Sequence, residues 1–218
     1  MNAVDEIVHA TVRIETSGSN GRGSGTGFVV NFGKHGELSY PTLVTNKHVV
    51  LRATQGKIQF TDNHPTNTPN FEKKRTLTIS NFESVWTMHP EEDVDLAALP
   101  LIPAFREAGW NITDVHMRGF SVEQFADQAF LDSLMPVEDV VMLGYPNGLW
   151  DEHHNLPLIR RGITAAPPGL PFLGKPQFPI DCACFPGSSG SPVMLLDRTG
   201  YLDKNRNEII LKARSKLL

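Results

Sequence analysis

What constrains this chain most is the spacing of its short alternating runs. Six of them lie before residue 102: IVHATVRIE at 7–15, TGFVVNF at 26–32, TLVTNKHVV at 42–50, GKIQF at 56–60, RTLTIS at 75–80 and VDLAALPL at 94–101. Several alternate apolar with polar residues, and turn-forming residues separate them, the signature of half-buried antiparallel strands. Eighteen glycines and sixteen prolines supply that punctuation and argue against a helical bundle. Residues 61–70, TDNHPTNTPN, read as a polar hairpin loop. The texture changes from 104 to 136, which reads as an irregular, partly helical connector; Ser121 and Gln124 suggest a capping box, with Phe125, Ala129 and Phe130 at helical spacing behind it. Strand texture returns with EDVVMLGYP, PLIRRGITA, FPIDCACF, SPVMLLD and EIILKA. No repeat of solenoid period and no low-complexity tract interrupts this pattern.

The expected object is all-β: two antiparallel units, residues 1–103 and 137–218, joined by the connector 104–136. A length of 218 residues suits one large or two small domains at roughly 150 residues each. A net charge of −4 excludes the basic excess of a protein held by phosphate contacts, so no nucleic-acid partner is expected. No run approaches the apolar length of a membrane span. The N-terminus, MNAVDEIVHATVRIE, has no basic segment followed by an apolar one, which gives a cytoplasmic location as the expectation. Cys182 and Cys184, one residue apart, are too close for an unstrained bridge and read as reduced members of a packed strand.

The chemistry-bearing stretch is FPGSSGSPV at 185–193. Its small residues can turn tightly and gather backbone N–H groups beside an exposed hydroxyl, the geometry a nucleophile and an oxyanion site need. Serine is a poor nucleophile unless a base, itself oriented by a third group, takes its proton. His48 stands where an apolar run meets a polar turn, and Asp95 stands directly before LAALPL. Asp93 is the rival acid, two residues away, and the placement before the apolar run favours Asp95. The order His, Asp, Ser differs from that of subtilisin-like enzymes and of α/β-hydrolases, and Ser191 breaks the hydrolase elbow pattern.

Six blocks in order, GSGTGFVV at 23–30, LVTNKHVV at 43–50, DVDLAALPL at 93–101, MLGYPNGL at 142–149, RRGITA at 160–165 and DCACFPGSSGSPV at 181–193, make the chain resemble a trypsin-like serine peptidase domain, closest to the bacterial branch that includes the HtrA (Deg) proteases. The resemblance implies two six-stranded β-barrels, with His48 and Asp95 on the first and Ser189 on the second. It implies that Ser189 attacks the scissile carbonyl, His48 acts as base, Asp95 orients His48, and the N–H groups of Gly187 and Ser189 hold the oxyanion. Ala183, Cys184 and Phe185 would line the pocket for the side chain preceding the cut bond, and their lack of a carboxylate favours apolar substrates over basic ones. The substrate would be a protein or peptide, with no cofactor and no metal.

The chain departs from the family's pattern in four places. Ser188 stands where many trypsin relatives have Asp, and no zymogen cleavage site is recognisable, so activation by a new N-terminal amine is not expected. No PDZ domain follows within the 218 residues, so HtrA-style assembly is not implied. The connector is longer than the resemblance implies. The chain ends at ARSKLL, where the family would continue into a closing strand and a terminal helix; the second unit is therefore expected to be truncated.

Other readings fit the residues less well. GSGTG at 23–27 does not match G-x-G-x-x-G and leads into FVV rather than a helix, which removes a nucleotide loop; close backbone approach is its expected role. His153 and His154 with the cysteine pair match no zinc spacing. Asn111-Ile112-Thr113 is formally a glycosylation sequon, without meaning in a bacterial cytoplasmic protein. The remaining alternative is a protease fold that has lost activity and binds peptides or partner proteins. All three triad positions are filled, which favours the enzyme.

Overall fold

The computed structural model describes residues 7–19, 21–35, 38–197, 200–204, 208–211 and 214–218. Residues 1–6, where the absence of a leader was read, and the last two residues of EIILKA lie outside these.

The chain divides into two compact units that are not contiguous in sequence. The first comprises 1–122, 143–158 and 185–191; the second comprises 123–142, 159–184 and 192–218. The resemblance put Ser189 on the second barrel, whereas its own contacts group it with residues 1–122. The reason is a set of hydrogen bonds to Thr26, described below.

The first unit is built on one sheet. Its strands are β1 (Thr11–Gly18), β2 (Gly21–His35), β3 (Leu38–Thr45), β4 (Ala53–Asn63), β5 (Pro69–Ser80), β6 (Thr87–Met88) and β7 (Ala97–Pro100), in the order β5-β4-β1-β2-β3-β7-β6. Two short strands join it: β8 (Val115–His116) on β4, and β9 (Phe120–Ser121) parallel to β2. Period-two burial explains why these residues are strands. Val12 and Ile14 of β1 and Ile58 and Phe60 of β4 are buried, while Lys57 on β4 is exposed. They pack with Val29, Leu43, Leu77, Phe82, Leu99 and Phe105 into one apolar core.

Three local expectations are corrected. Residues 7–9 form a helical turn before β1, where a strand was read. The run TLVTNKHVV stops being a strand at Thr45; Lys47–Val50 is a short helix, α1, whose Val49 and Val50 are buried. The connector opens with helix α2 (Leu101–Glu107), and the helix read behind Ser121 begins later, as α3 (Gln128–Ser133). Asp127 caps it by accepting from Phe130 N–H at 2.8 Å, while Val122–Gln124 makes only a 3-10 turn.

The second unit carries β10 (Asp139–Gly144), β11 (Leu158–Thr164), β12 (Ile180–Asp181), β13 (Val193–Asp197) and β16 (Arg214–Leu217), ordered β12-β11-β10-β13-β16. A separate pair, β14 (Tyr201–Asp203) and β15 (Glu208–Ile210), completes it. Val140, Met142, Met194, Leu195 and Leu217 are buried. The buried carboxylate of Glu138 accepts from Arg214 at 2.6 Å and from Met135 N–H at 2.8 Å, so it is not left uncompensated. The two sheets have nine and five strands among the described residues, rather than six each, because three very short strands extend the first.

The cysteines are free, but neither lies in a strand: β12 ends at Asp181, Cys182 is half-buried and Cys184 is exposed. Partial burial, followed by the neighbouring Cys184, raises the Cys182 thiol above its ordinary pKa.

Candidate active site

The candidate residues meet in the first unit. Three are placed by elements whose local sequence dictates their shape. Asn46 follows β3 in an extended conformation and leads into α1, whose second residue is His48. Burial of Val49 and Val50 fixes the face of this turn and leaves His48 exposed. Asp95 lies in the loop before β7. That loop is tied to α1 by side chains: Asn46 Nδ2 donates to Asp95 O at 2.7 Å and Lys47 Nζ donates to Glu91 O at 2.6 Å.

The Asp95 carboxylate engages His48 with both oxygens. Oδ2 lies 2.5 Å from His48 Nδ1, and Oδ1 accepts from the His48 backbone N–H at 3.0 Å. The Nδ1 contact orients the ring and leaves Nε2 as the other ring nitrogen, while the backbone contact holds the carboxylate in place. Both side chains are about half exposed, at 56% and 47%, so the pair is open to a substrate. Asp93, the rival acid, is exposed and makes other interactions.

The turn carrying Ser189 is held from beneath by Thr26, a fully buried residue of β2. Thr26 N–H donates to Ser189 O at 2.8 Å, and Thr26 Oγ1 donates to Gly187 O at 2.9 Å. The same hydroxyl accepts from Tyr145 N–H at 3.1 Å, and Thr45 Oγ1 donates to Thr26 O at 2.6 Å. Gly187 and Gly190 bracket Ser189 at φ of +91° and +83°. A side chain at either would be strained, and at Gly190 it would also strike the Thr26 carbonyl. Ser188 N–H donates to Phe185 O at 2.9 Å and Ser191 N–H to Ser188 O at 3.0 Å; among the described residues the N–H groups of Gly187 and Ser189 have no acceptor. They are the donors an oxyanion would need.

His48, Gly187 and Ser189 line one cleft of about 340 Å³. Of the residues expected before the turn, Phe185 is half exposed and belongs to the first unit, while Ala183 and Cys184 are exposed and belong to the second. Arg160 donates to Ala183 O at 2.8 Å. His153 and His154 have structural occupations: their rings meet edge-on at 4.6 Å, and His154 Nδ1 lies 2.6 Å from Asp151, which holds that carboxyl below its ordinary range.

Reading residues alone did not single out Thr26, Asn46 or Tyr145. Tyr145 is fully buried, its hydroxyl donates to Thr11 O at 3.1 Å, and burial raises its pKa. Each lies inside a block that drew attention, GSGTGFVV, LVTNKHVV or MLGYPNGL, so the signal was the block and not the residue.

A search of curated proteins finds no match. Among solved structures, the chain is similar to an HtrA-type protease, AlgW, bound to a tripeptide. The identity is 17%, the TM-score 0.51, and the match covers 88% of this chain and 48% of that one. A serine-to-alanine variant of AlgW with a tripeptide matches at 17% identity and a TM-score of 0.52, covering 88% and 49%. The chain thus spans about half the length of these structures, and at this identity the likeness shows a shared fold: all-β, with chymotrypsin-like antiparallel units. The family model described as a trypsin-like peptidase domain matches residues 25–202, a span holding every residue of the site just described. With most of its length inside that match, the chain belongs to the trypsin-like peptidase family.

Proposed function

We propose that the protein is a serine endopeptidase in which Ser189 is the nucleophile, His48 the general base and Asp95 the orienting acid. The observation that carries this reading is the double anchoring of His48 by Asp95 beside a cleft that also holds Ser189 and Gly187. His48 Nε2 takes the Ser189 proton as Oγ bonds to the scissile carbonyl carbon. The resulting oxyanion accepts from the N–H groups of Gly187 and Ser189. His48 returns the proton to the leaving amine, the C–N bond breaks, and an acyl-enzyme remains. Water, deprotonated by the same His48, then displaces Ser189. Asp95 stays ionised throughout and stabilises the imidazolium that forms between steps.

For the side chain before the cut bond we propose apolar residues such as Val, Ala or Leu. Ala183, Cys184 and Phe185 offer no carboxylate, and the guanidinium of Arg160 on Ala183 O adds positive charge there. A buried basic side chain without a partner would cost several kcal/mol.

The test is labelling with a fluorophosphonate probe together with casein cleavage, on the native protein and on Ser189→Ala and His48→Ala. The native protein should label at Ser189 and cleave; both variants should lose label and activity while keeping their circular dichroism. Cleavage retained by purified Ser189→Ala would refute the reading. A native protein that stays unlabelled would instead be a binding module on a protease fold.

A further inference from the structure

The charged side chains lining the cleft beside Ser189 are cationic, while the nearby carboxylates of Asp95 and Glu83 are engaged by His48 and by the Arg52 backbone N–H. The described lining includes two guanidinium groups, Arg22 and Arg52, and no carboxylate. Both arginines are exposed. A concave site lined by one sign of charge focuses its field and raises the local concentration of the opposite charge.

Arg52 also stands in an unusual conformation. Its φ is +62°, left-handed backbone that asparagine or glycine adopts at much lower cost. The surroundings enforce it. Arg52 N–H donates to Glu83 Oε2 at 2.7 Å, and its carbonyl presses so closely on Gly18 that a Cβ there would lie 2.2 Å away. A bulky cation held at a strained position beside a nucleophile is an outlier from which a role can be argued.

The direction of the chain supplies the side of the substrate. In the mechanism proposed above, His48 hands its proton to the leaving amine. Val49, Leu51 and Arg52, close behind His48 in the chain, line the cleft with it, as do Ser17 and Arg22 of the hairpin of β1 and β2. The residues assigned to the side chain before the cut bond, 183–185, are not part of this lining. We infer that Arg22 and Arg52 select Asp or Glu within the first few residues after the cut bond, so the substrates are proteins with acidic segments on the leaving-group side.

This inference rests on the peptidase reading, and the experiment separates the two. A proteome-derived peptide library is digested with the native protein and with Arg22→Gln/Arg52→Asn, and cut sites are read by mass spectrometry. Asn suits the left-handed backbone, so the second substitution removes charge without adding strain. Asp and Glu should be enriched about three- to tenfold over Lys and Arg in the three positions after the cut, the range two exposed ion pairs give. The enrichment should vanish in the double variant and shrink at high salt. Ser189 should still be labelled by the fluorophosphonate in both proteins, whatever the change in rate. Intact labelling with no acidic enrichment, or with enrichment that survives in the double variant, overturns the inference alone. Absent labelling in the native protein overturns the peptidase reading and this inference with it.

Discussion

Thr26→Val tests how the turn carrying Ser189 is held. Valine keeps the shape of threonine and removes only the hydroxyl. That oxygen donates to Gly187 O and accepts from the N–H of fully buried Tyr145. Losing the first bond costs about 0.5–1.5 kcal/mol, and leaving a buried N–H unpaired costs about 1–3 kcal/mol. The sum, about 1.5–4.5 kcal/mol, should lower the melting temperature by about 3–18 °C for a chain of this length. Thr26→Ser is the control: it keeps both hydrogen bonds and loses one methyl group, about 1 kcal/mol. Thermal melts and urea titrations of the three proteins measure the difference, and the fluorophosphonate labelling rate reports whether Ser189 has moved. If Thr26→Val is as stable as Thr26→Ser and labels at the native rate, the hydroxyl does not secure the turn.

Three further outcomes are expected. Asp95→Asn should reduce kcat about 10⁴-fold by favouring the wrong tautomer of His48, with Asp93→Asn near native; casein cleavage checks this, and the reverse order would identify Asp93 as the acid. His116, 3% exposed, is held to a pKa of about 4 against an ordinary 6.5, first by burial and then by His9 and Arg118. Because the unfolded chain binds that proton and the folded chain resists it, stability should fall as pH drops from 6.5 towards 4, by up to about 3 kcal/mol; urea titrations at pH 7 and pH 5 should show a shallower pH slope in His116→Gln. Gly56→Ala should cost about 1–3 kcal/mol, because the new Cβ would lie 2.2 Å from the Phe82 ring; Phe82→Leu should recover part of that loss in the double variant, and additive melts would show that the clash is not the cause.

The elements most legible in the sequence are those whose burial alternates along a single strand. In β1 and β4 the pattern that places Val12, Ile14, Ile58 and Phe60 inward is local, so composition and order suffice to read it. The candidate site residues stood out for a different reason: each stands in a block where an apolar run meets a turn or loop. What escaped depends on partners distant in the chain. TLVTNKHVV reads as unbroken strand, but pairing with β7 ends at Thr45, and the two valines then satisfy burial on a helical turn. FPIDCACF reads as strand through the cysteines, yet β11 offers partners only to Ile180 and Asp181. Thr26 looked like one more small residue in a glycine run; its role is set by Gly187, 161 residues later.

That separation has a consequence for how the molecule comes into being. The span from Thr26 to Gly187 includes two of the three segments of the second unit, 123–142 and 159–184, so the Ser189 turn can dock only after those segments have been synthesised and have closed a very long loop. Closing such a loop costs entropy that local contacts do not offset, so its formation belongs to the late part of folding. A nascent chain up to residue 122 already contains His48 and Asp95 but lacks Ser189, the proposed nucleophile. Under the mechanism proposed above, chain order acts as a timer: a half-made molecule cannot attack its neighbours, and reactivity arrives only with long-range contacts.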